Sequence, residues 1–402
     1  MAERPAASEA ARVAMIGAGT MGAGIAQVAL EGGWRVALHD AVPGATDRAI
    51  DLIRQGLTRR AEKAGRADPA RSATDALLAL DVRPSVARAV EGAHLAIEAI
   101  VEDLEIKRRL FADLDDAARP DAILATNTSA LSVSRIAEAV RRPERVVGLH
   151  FFNPAPVLPL VEVVAGRASA PWAVERAAGI VDGWGKTAIR VADAPGFIVN
   201  RVNRPFTLEP LRLLRAGATT IEAIDEAIVS AGFPMGPFAL MDLIGIDVNL
   251  AAARGLFEAS GRPPRFRPSP IQEELVAAGK LGRKSGEGFY RYVDGKATGP
   301  AQRFIDRDGR GIGAQPGPSS IAERVVLAIV NEAYRAVGEG VASEPDIDRA
   351  MQLGANHPFG PFEWARRTGV HEVTVMLDAL SDEDADTFRP ALPLLREAKA
   401  GL

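Results

Sequence analysis

Hydrophobic and polar positions in the first half of the chain follow two alternating patterns. Short apolar runs are separated by stretches in which apolar residues recur every three or four positions. Within 103–118, for example, Ile106, Leu110 and Leu114 are spaced by four residues and Phe111 widens the same stripe, which predicts an amphipathic helix. The apolar runs are RVAMIG (12–17), RVALHD (35–40), HLAIEAI (94–100), AILATNT (122–128) and VVGLHFF (146–152). This alternation predicts a parallel sheet covered by helices up to about residue 190.

The pattern changes at Pro195. Residues 196–280 have helical periodicity, and the next strand-like run is GFYRYV (288–293). Residues 296–320 contain five glycines and three prolines with little periodicity, which predicts a linker. A second helical segment follows from residue 321 to the C-terminus.

The two helical segments share a sequence motif. PMGPF (234–238) recurs as PFGPF (358–362), and another glycine follows nine residues after the first in each. An Ile-Asp pair precedes the motif in both, at 224–225 and at 347–348. These matches indicate a duplicated helical unit. The alternative is a coincidence between two turns that each join a pair of helices.

Composition excludes several classes of protein. The 402 residues suggest two to three domains. With 48 basic and 52 acidic residues the net charge is −4, so no overall positive field would attract nucleic acid or an anionic membrane. The absence of cysteine excludes disulfides and cysteine-ligated zinc, and we predict no metal site. The first eleven residues lack the pattern of a signal peptide, and the most apolar window, 146–166, carries polar residues and three prolines. We therefore expect a soluble, cytoplasmic protein without a membrane span.

A glycine-rich loop follows the first predicted strand. Its sequence is Gly17-Ala18-Gly19-Thr20-Met21-Gly22, and a helical pattern begins directly after it. Strand, glycine loop and helix in this order bind the pyrophosphate of a dinucleotide. Asp40 ends the next strand, where a carboxylate would bind the adenosine ribose and repel a 2′-phosphate. This favours NAD, although His39 beside Asp40 leaves the choice between NAD and NADP open. The alternative is a glycine-rich turn in a generic α/β fold.

A histidine and a glutamate are placed to form an acid–base pair. His150 ends a predicted strand, and Glu162 lies within the apolar run at 160–164. Pro156 is midway between them, so a chain reversal there would bring the two side chains face to face. A carboxylate among aliphatic side chains needs a partner. The alternatives are a purely structural hydrogen bond, or a Glu162 that faces solvent.

Two further polar residues are candidates for substrate contacts. Ser129 follows the strand at 122–128, where such sheets bind their ligands, and it is also a candidate N-cap of the next helix. Asn200 lies in the first turns of the helix after Pro195, where a solvated or capping asparagine is the default interpretation.

Six motifs occur in order along the chain. They are GAGTMG (17–22), IEAIVEDLEIKRRLF (97–111), NTSALSVSRIA (127–137), GLHFFNPAPVLPLVEVV (148–164), DAPGFIVNRV (193–202) and KLGRKSGEGFYRY (280–292). Together they resemble the L-3-hydroxyacyl-CoA dehydrogenase family over residues 12 to 293. The segment 321–380 resembles an extra copy of the family's C-terminal domain, which occurs in long bacterial members and in multifunctional β-oxidation enzymes of fatty acid metabolism.

The resemblance implies roles for individual residues. His150 would be the general acid/base and Glu162 its orienting carboxylate, while Ser129 and Asn200 would bind the substrate's C3 oxygen and the histidine. The implied NAD contacts are Gly17, Gly19, Thr20, Met21, Gly22, Asp40, Glu102, Lys107, Ser129, Asn153 and Lys284. The segment 45–66 matches the part of the family that touches CoA. The segment contains Arg54, Arg59, Arg60, Lys63 and Arg66, and solvated side chains are the alternative for most of them.

Two departures from the family pattern concern the helical copies. The first copy is one residue short between Asp225 and Pro234. The second has Glu323-Arg324-Val325 where the first has the NRV sequence around Asn200, and it carries His357-Pro358. We therefore predict that the second copy serves packing and not catalysis.

These observations predict an α/β Rossmann-type NAD-binding domain (residues 1–192) followed by two all-α helical domains (193–295 and 321–402) joined by a linker (296–320). The predicted reaction is reversible oxidation of an L-3-hydroxyacyl-CoA to the 3-ketoacyl-CoA by NAD. Two alternatives are an oxidoreductase for a CoA-free hydroxy acid or carnitine-like alcohol, and a non-catalytic NAD-binding scaffold subunit. The protein would be a monomer with an internal pseudo-dimer of helical domains, or a homodimer.

Overall fold

An eight-stranded sheet organises the first part of the chain. The computed structural model describes residues 11–304 and 318–400 and divides into two compact units between Ala194 and Pro195. The strands are β1 (Arg12–Ile16), β2 (Arg35–His39), β3 (Leu80–Val82), β4 (Leu95–Glu98), β5 (Ile123–Thr126), β6 (Val146–Phe151), β7 (Leu160–Ala165) and β8 (Thr187–Ala192). The helices of this unit are α1 (Thr20–Glu31), α2 (Ala45–Lys63), α3 (Pro69–Leu77), α4 (Val86–Val90), α5 (Leu104–Ala117), α6 (Val133–Ala137) and α7 (Pro171–Gly183). All five apolar runs that predicted strands form strands.

The strand order places a crevice beside β1. The order is β3-β2-β1-β4-β5-β6-β7-β8, and the pairs from β3 to β6 are parallel. Strand β7 runs antiparallel to β6, and β8 is parallel to β7. Since β2 and β4 leave β1 on opposite sides, a crevice opens at the carboxyl ends of β1 and β4. The predicted Rossmann-type sheet is confirmed.

One residue of the predicted apolar stripe of α5 does not pack into the core. Asp103 caps the helix by accepting a hydrogen bond from the amide of Ile106, and Leu110, Phe111 and Leu114 are buried. The Ile106 side chain, in contrast, is 44% exposed. It lines a cavity next to the glycine loop instead of the core, so the stripe serves both packing and a binding surface.

Helices make up most of the second unit. They are α8 (Val199–Val202), α9 (Arg204–Arg215), α10 (Ile221–Ser230), α11 (Pro237–Ile244), α12 (Ile246–Ala259), α13 (Pro270–Ala277), α14 (Pro318–Gly338), α15 (Glu344–Gly354), α16 (Pro361–Thr368), α17 (Val370–Ser381), α18 (Ala385–Phe388) and α19 (Leu392–Ala400). Strands β9 (Tyr290–Val293) and β10 (Lys296–Pro300) form an antiparallel hairpin.

Part of the predicted linker is regular structure. Residues 296–300 are β10, because Asp294 and Gly295 both adopt positive φ (48° and 72°) and form the two-residue turn that joins paired strands. Residues 318–320 already belong to α14. Gln302–Phe304 form a 3-10 helix. Residues 305–317 lie outside the described residues.

The repeated sequence motif starts a helix in the same way in both copies. Asp225 accepts hydrogen bonds from the amides of the second and third residues of α11 (2.9 and 3.0 Å), and Asp348 does the same at α16 (2.8 and 3.0 Å). A Cβ on Gly236 or Gly360 would lie 2.3 or 2.2 Å from the side chain of the respective aspartate. The motif therefore needs glycine at this position in both copies, which explains the shared spacing.

The two copies contact each other through reciprocal ion pairs. Arg201 of the first copy binds Glu332 of the second (2.7 Å), and Arg324 of the second binds Glu209 of the first (2.6 Å). In each copy the arginine precedes the glutamate by eight residues. Such a pairing, in which residue i contacts j and j contacts i, is that of a two-fold symmetric dimer. No helix within the described ranges is long and apolar enough to span a membrane.

Candidate active site

The glycine loop between β1 and α1 leaves room for a ligand at one position. A Cβ on Gly17, whose φ is +105°, would lie 2.4 Å from the carbonyl oxygen of Ala99, and one on Gly22 would lie 1.9 Å from the carbonyl oxygen of Gly17. A Cβ on Gly19 would have no atom within 4 Å. Gly17 and Gly22 are therefore required by the protein's own packing, whereas Gly19 keeps a surface at the start of α1 open. The first amides of a helix bind phosphates at such a surface.

Asp40 ties this loop to the end of β2. Its carboxylate accepts hydrogen bonds from the amides of Ala18 (2.6 Å) and Val42 (2.7 Å). A cavity of about 620 Å³ adjoins Asp40, and Val42, Val101 and Ile106 are among its apolar side chains. This volume is in the range of small-molecule sites. Asp40 and the cavity therefore fit the adenosine end of a dinucleotide.

His39 lines the same cavity. Its Nδ1 lies 2.9 Å from the carbonyl oxygen of Arg83, so Nδ1 carries a proton that it donates to that oxygen. The ring is thereby fixed by backbone, independently of Asp40.

A buried charge network joins β4 to α5. The Lys107 ammonium lies 2.5 Å from Glu98 and 3.2 Å from Glu102. Lys107 and Glu98 are at most 1% exposed, and Thr126 donates a further hydrogen bond to Glu98 (2.7 Å). A buried lysine needs such partners, because an isolated ammonium in the interior is costly.

Glu102 extends this network to the end of β5. It accepts hydrogen bonds from the hydroxyl of Thr128 and the amide of Ser129 (3.0 Å). Burial raises the pKa of Glu102, but Lys107 and Thr128 outweigh burial and hold this pKa below its ordinary value. Glu102 is therefore an anion beside the exposed Ser129.

Ser129 does not cap the following helix, contrary to one of its two predicted roles. The cap of α6 is Ser132, whose hydroxyl accepts a hydrogen bond from the amide of Arg135 (3.3 Å). The helix begins at Val133, so Ser129 lies too far ahead of it.

His150 and Glu162 meet across the antiparallel strands β6 and β7. They are direct partners in the strand register, and His150 Nδ1 lies 2.6 Å from Glu162 Oε2. Their side chains are 7% and 0% exposed, so the alternative of a solvent-facing Glu162 is wrong. Because Nδ1–H donates its hydrogen bond to the carboxylate, the lone pair of the neutral imidazole is on Nε2. The ring of Phe152 packs against the imidazole at 4.4 Å between centroids.

The turn between β6 and β7 carries Asn153, which is exposed. Lys186 holds this turn by donating hydrogen bonds to the carbonyl oxygens of Ala155 (2.6 Å) and Leu158 (2.9 Å). Burial lowers the pKa of Lys186. Since β1, β4, β5 and β6 are parallel, the glycine loop, Glu102, Ser129 and the turn all follow carboxyl ends at the same edge of the sheet.

Two predicted site residues belong to the second unit. Asn200 is the second residue of α8 and is half-buried. Lys284 forms an ion pair with both carboxylate oxygens of Asp247 (2.6 and 2.7 Å).

The basic residues of the segment 45–66 are exposed. Arg54 pairs with Asp51 (2.8 Å), and Arg60 lies 3.8 Å from Glu31. The buried face of α2 is instead apolar, with Ile53 at its centre. Among the described residues no group of three or more histidine or acidic side chains could hold a metal ion.

Sequence reasoning missed three residues of this edge. Glu98 and Thr128 anchor the charge network, and Asn127 accepts a hydrogen bond from the amide of Phe151 (2.9 Å). The available signal was a lone glutamate inside the apolar run at 94–100 and polar residues directly after the run at 122–128.

Comparison with known proteins covers nearly the whole chain. A family model described as 3-hydroxyacyl-CoA dehydrogenase, NAD binding domain, matches residues 12–194, and that of the C-terminal domain matches residues 196–292 and 321–401. The chain is 37% identical to the 3-hydroxyadipyl-CoA dehydrogenase of Escherichia coli (strain K12), with 96% of each chain covered. It is 41% identical to the mitochondrial hydroxyacyl-coenzyme A dehydrogenase of Rattus norvegicus over 70% of this chain and 90% of that protein.

A solved structure extends the match to three dimensions. The crystal structure of 3-hydroxybutyryl-CoA dehydrogenase from Escherichia coli K12 superposes with a TM-score of 0.87 at 36% identity, covering 98% of this chain and 99% of that chain. The open glycine loop, the acidic residue after β2 and the carboxylate–imidazole pair are thus found on a chain that belongs to the 3-hydroxyacyl-CoA dehydrogenase family and is an NAD-dependent enzyme.

Proposed function

We propose that His150 and Glu162 supply the acid–base chemistry with which this enzyme interconverts an L-3-hydroxyacyl-CoA and its 3-ketoacyl-CoA. The observation that carries this proposal is the 2.6 Å contact between His150 Nδ1 and a fully buried Glu162. A carboxylate in that position fixes the tautomer of the ring and directs the basic Nε2 away from itself.

In the oxidation direction the substrate hydroxyl loses its proton to His150 Nε2. The C3–H bond breaks with its electron pair, and the C3–O single bond becomes a carbonyl. Bound NAD, held by the glycine loop, would supply the acceptor for that electron pair and hydrogen as a hydride. Glu162 stabilises the imidazolium that results, because a charge-assisted hydrogen bond in a buried setting is stronger than a neutral one. In the reverse direction the same imidazolium returns the proton to the oxygen.

We assign Ser129 and Asn200 to the substrate's C3 oxygen and to the histidine. Ser129 is exposed at the carboxyl edge of the sheet, and its amide is held by Glu102. Its hydroxyl is therefore carried by a backbone that is fixed on one side by the buried charge network. The assignment of Asn200 rests on the family resemblance of the NRV sequence.

The NAD contacts are proposed for the glycine loop (Gly17, Gly19, Thr20, Met21 and Gly22) and for Asp40, Glu102, Ser129, Asn153 and Lys284. Lys107 has a different role in this proposal. Its ammonium is 1% exposed and lies between two carboxylates, so it positions Glu102 instead of presenting a charge at the surface.

The substrate class is tested by comparing thioester and free acid. NADH oxidation is measured with acetoacetyl-CoA and with acetoacetate at the same concentrations. Turnover of acetoacetyl-CoA with kcat/KM far above that of acetoacetate supports the proposal. Preferred turnover of a CoA-free ketone would support the alternative oxidoreductase, and NADH binding without turnover of any acyl-CoA would support the scaffold.

A cytoplasmic location stays a prediction.

We also propose that the second helical copy takes the place of a partner subunit. The support is the reciprocal pairing of Arg201 with Glu332 and of Arg324 with Glu209. Static light scattering of the full chain should give the mass of a monomer. A stable dimer across the micromolar range would contradict this proposal and favour the homodimer.

A further inference from the structure

A cavity of about 480 Å³ in the second unit is lined by four arginines. It lies where α14, α18 and the start of α19 meet the segment after α12. The arginines are Arg265, Arg335, Arg389 and Arg396. Its remaining wall is largely apolar, formed by the residues from Pro390 to Pro393. None of these residues belongs to the candidate active site.

The acidic residues around the cavity are already engaged. Glu339 binds Arg201 through both oxygens (2.7 and 2.8 Å), and Glu332 binds Arg201 (2.7 Å) and Arg265 (2.9 Å). Asp386 accepts a hydrogen bond from the backbone amide of Arg265 (2.5 Å). Each carboxylate is thus committed to a protein donor.

The arginines, in contrast, do not use all of their side-chain N–H donors. Arg335 reaches Glu332 only at 3.5 Å and donates otherwise to the carbonyl oxygen of Arg389 (3.2 Å). Among residues 11–304 and 318–400, neither Arg389 nor Arg396 makes a side-chain hydrogen bond or ion pair with the protein, and both are exposed.

The local charge is consequently positive. Counted over the described residues, five guanidinium groups, including that of Arg201, face the three carboxylates of Glu332, Glu339 and Asp386. This leaves an excess of two positive charges. Burial lowers the pKa of Arg335, attraction by Glu332 offsets part of this effect, and repulsion from Arg265 lowers the pKa further. An arginine whose pKa falls on folding lacks sufficient compensating negative charge. An anion in the cavity would supply it.

We propose that this cavity is a binding site for a diphosphate group, separate from the active site. Guanidinium groups bind phosphate oxygens through paired, charge-assisted hydrogen bonds. A diphosphate carries at least two negative charges at neutral pH, which is enough to neutralise the excess of two. Its two phosphates also suit donors that come from two elements, the loop before α19 and α19 itself. The apolar wall from Pro390 to Pro393 is suited to an organic group esterified to the diphosphate. The source is either an inorganic diphosphate or a diphosphate ester.

The test uses the full chain saturated with NADH, so that the coenzyme site is occupied. Binding of inorganic pyrophosphate and of ADP is measured by isothermal titration calorimetry for the wild type and for the double variant Arg389→Gln/Arg396→Gln. Loss of hydrogen bonds to a charged group should weaken binding by at least about tenfold. The matched control is Arg349→Gln, an exposed arginine of α15 outside the cavity, for which the affinity should stay unchanged.

Tighter binding of ADP than of pyrophosphate would identify the ligand as a diphosphate ester, and equal binding would identify the diphosphate alone as the recognised group. Either result supports the proposal if the double variant loses the binding. The proposal would be overturned if neither probe binds at 10 mM, a concentration about 100 times a typical metabolite KM. Equal affinity in the double variant would also overturn it. A rise in KM for acetoacetyl-CoA in the double variant would assign these arginines to the substrate site and contradict a separate site. Failure of the proposed dehydrogenase function is distinguishable, because it would appear as lost turnover in the wild type.

Discussion

Replacing Glu162 by glutamine tests the acid–base pair at its buried end. The variant keeps the shape of the side chain and removes its charge. Glu162 is 0% exposed and 2.6 Å from His150 Nδ1, so no water can substitute for the carboxylate without rearrangement. A hydrogen bond to a charged group is worth about 1.5–3 kcal/mol. If that stabilisation is expressed when the imidazolium forms, kcat should fall by roughly 10- to 150-fold.

The assay is steady-state NADH oxidation with acetoacetyl-CoA, together with a fluorescence titration of NADH. The affinity for NADH should stay within about twofold, because the pair lies outside the glycine loop and the adenosine cavity. Glu175→Gln is the matched control, since Glu175 is an exposed glutamate of α7 paired with Arg190. Its kcat should equal that of the wild type.

A double-mutant cycle makes this prediction refutable even if Glu162→Gln lowers stability. Once His150 is replaced by glutamine, Glu162 has no imidazolium to stabilise, so adding Glu162→Gln should cost little further activity. Additive losses in the double variant, or an unchanged kcat in a folded Glu162→Gln enzyme, would refute the reasoning.

Three further predictions concern the surroundings of the pair. Gly19→Ala should fold with an unchanged Tm, since its Cβ meets no atom within 4 Å, but it should bind NADH at least about tenfold more weakly. Gly22→Ala should instead lose stability, because its Cβ would lie 1.9 Å from the carbonyl oxygen of Gly17. A stable Gly22→Ala and an unstable Gly19→Ala would contradict the role of the loop. Lys107→Met should lower the free energy of unfolding by about 3–5 kcal/mol, measured by urea titration, because it leaves Glu98 and Glu102 without their cation. Burial raises the pKa of Asp225 to about 6 from an ordinary 3.8. The contribution of Asp225 to the free energy of unfolding is therefore fully present below pH 4 and is lost as pH rises through 6. The stability of Asp225→Asn relative to the wild type should rise between pH 4 and pH 6, and a constant difference would contradict the shift.

The sequence was sufficient for features that local patterns determine. Apolar runs predicted five strands, and the position of Pro156 between His150 and Glu162 predicted their meeting, because an antiparallel register fixes which side chains face each other. The repeated motifs were visible for the same reason, since each is a local cap for a helix.

Features that depend on distant segments were missed. The network of Glu98, Lys107 and Glu102 needs β4, α5 and the end of β5 to be adjacent, and nothing in 97–111 alone indicates that Lys107 is buried. Glycine and proline content predicts a linker at 296–320, whereas residues 296–300 form β10 because the Asp294-Gly295 turn pairs them with β9. Ser129 and Ser132 are both plausible caps by composition, and the start of α6 at Val133 decides between them.

The most direct test of the account is the activity of His150→Gln. With acetoacetyl-CoA and NADH, kcat should fall by about 10²–10⁴-fold, while the Kd for NADH measured on the same preparation stays that of the wild type. A His150→Gln enzyme that turns over acetoacetyl-CoA at the wild-type rate would show that another group moves the proton, and the proposed chemistry would be wrong.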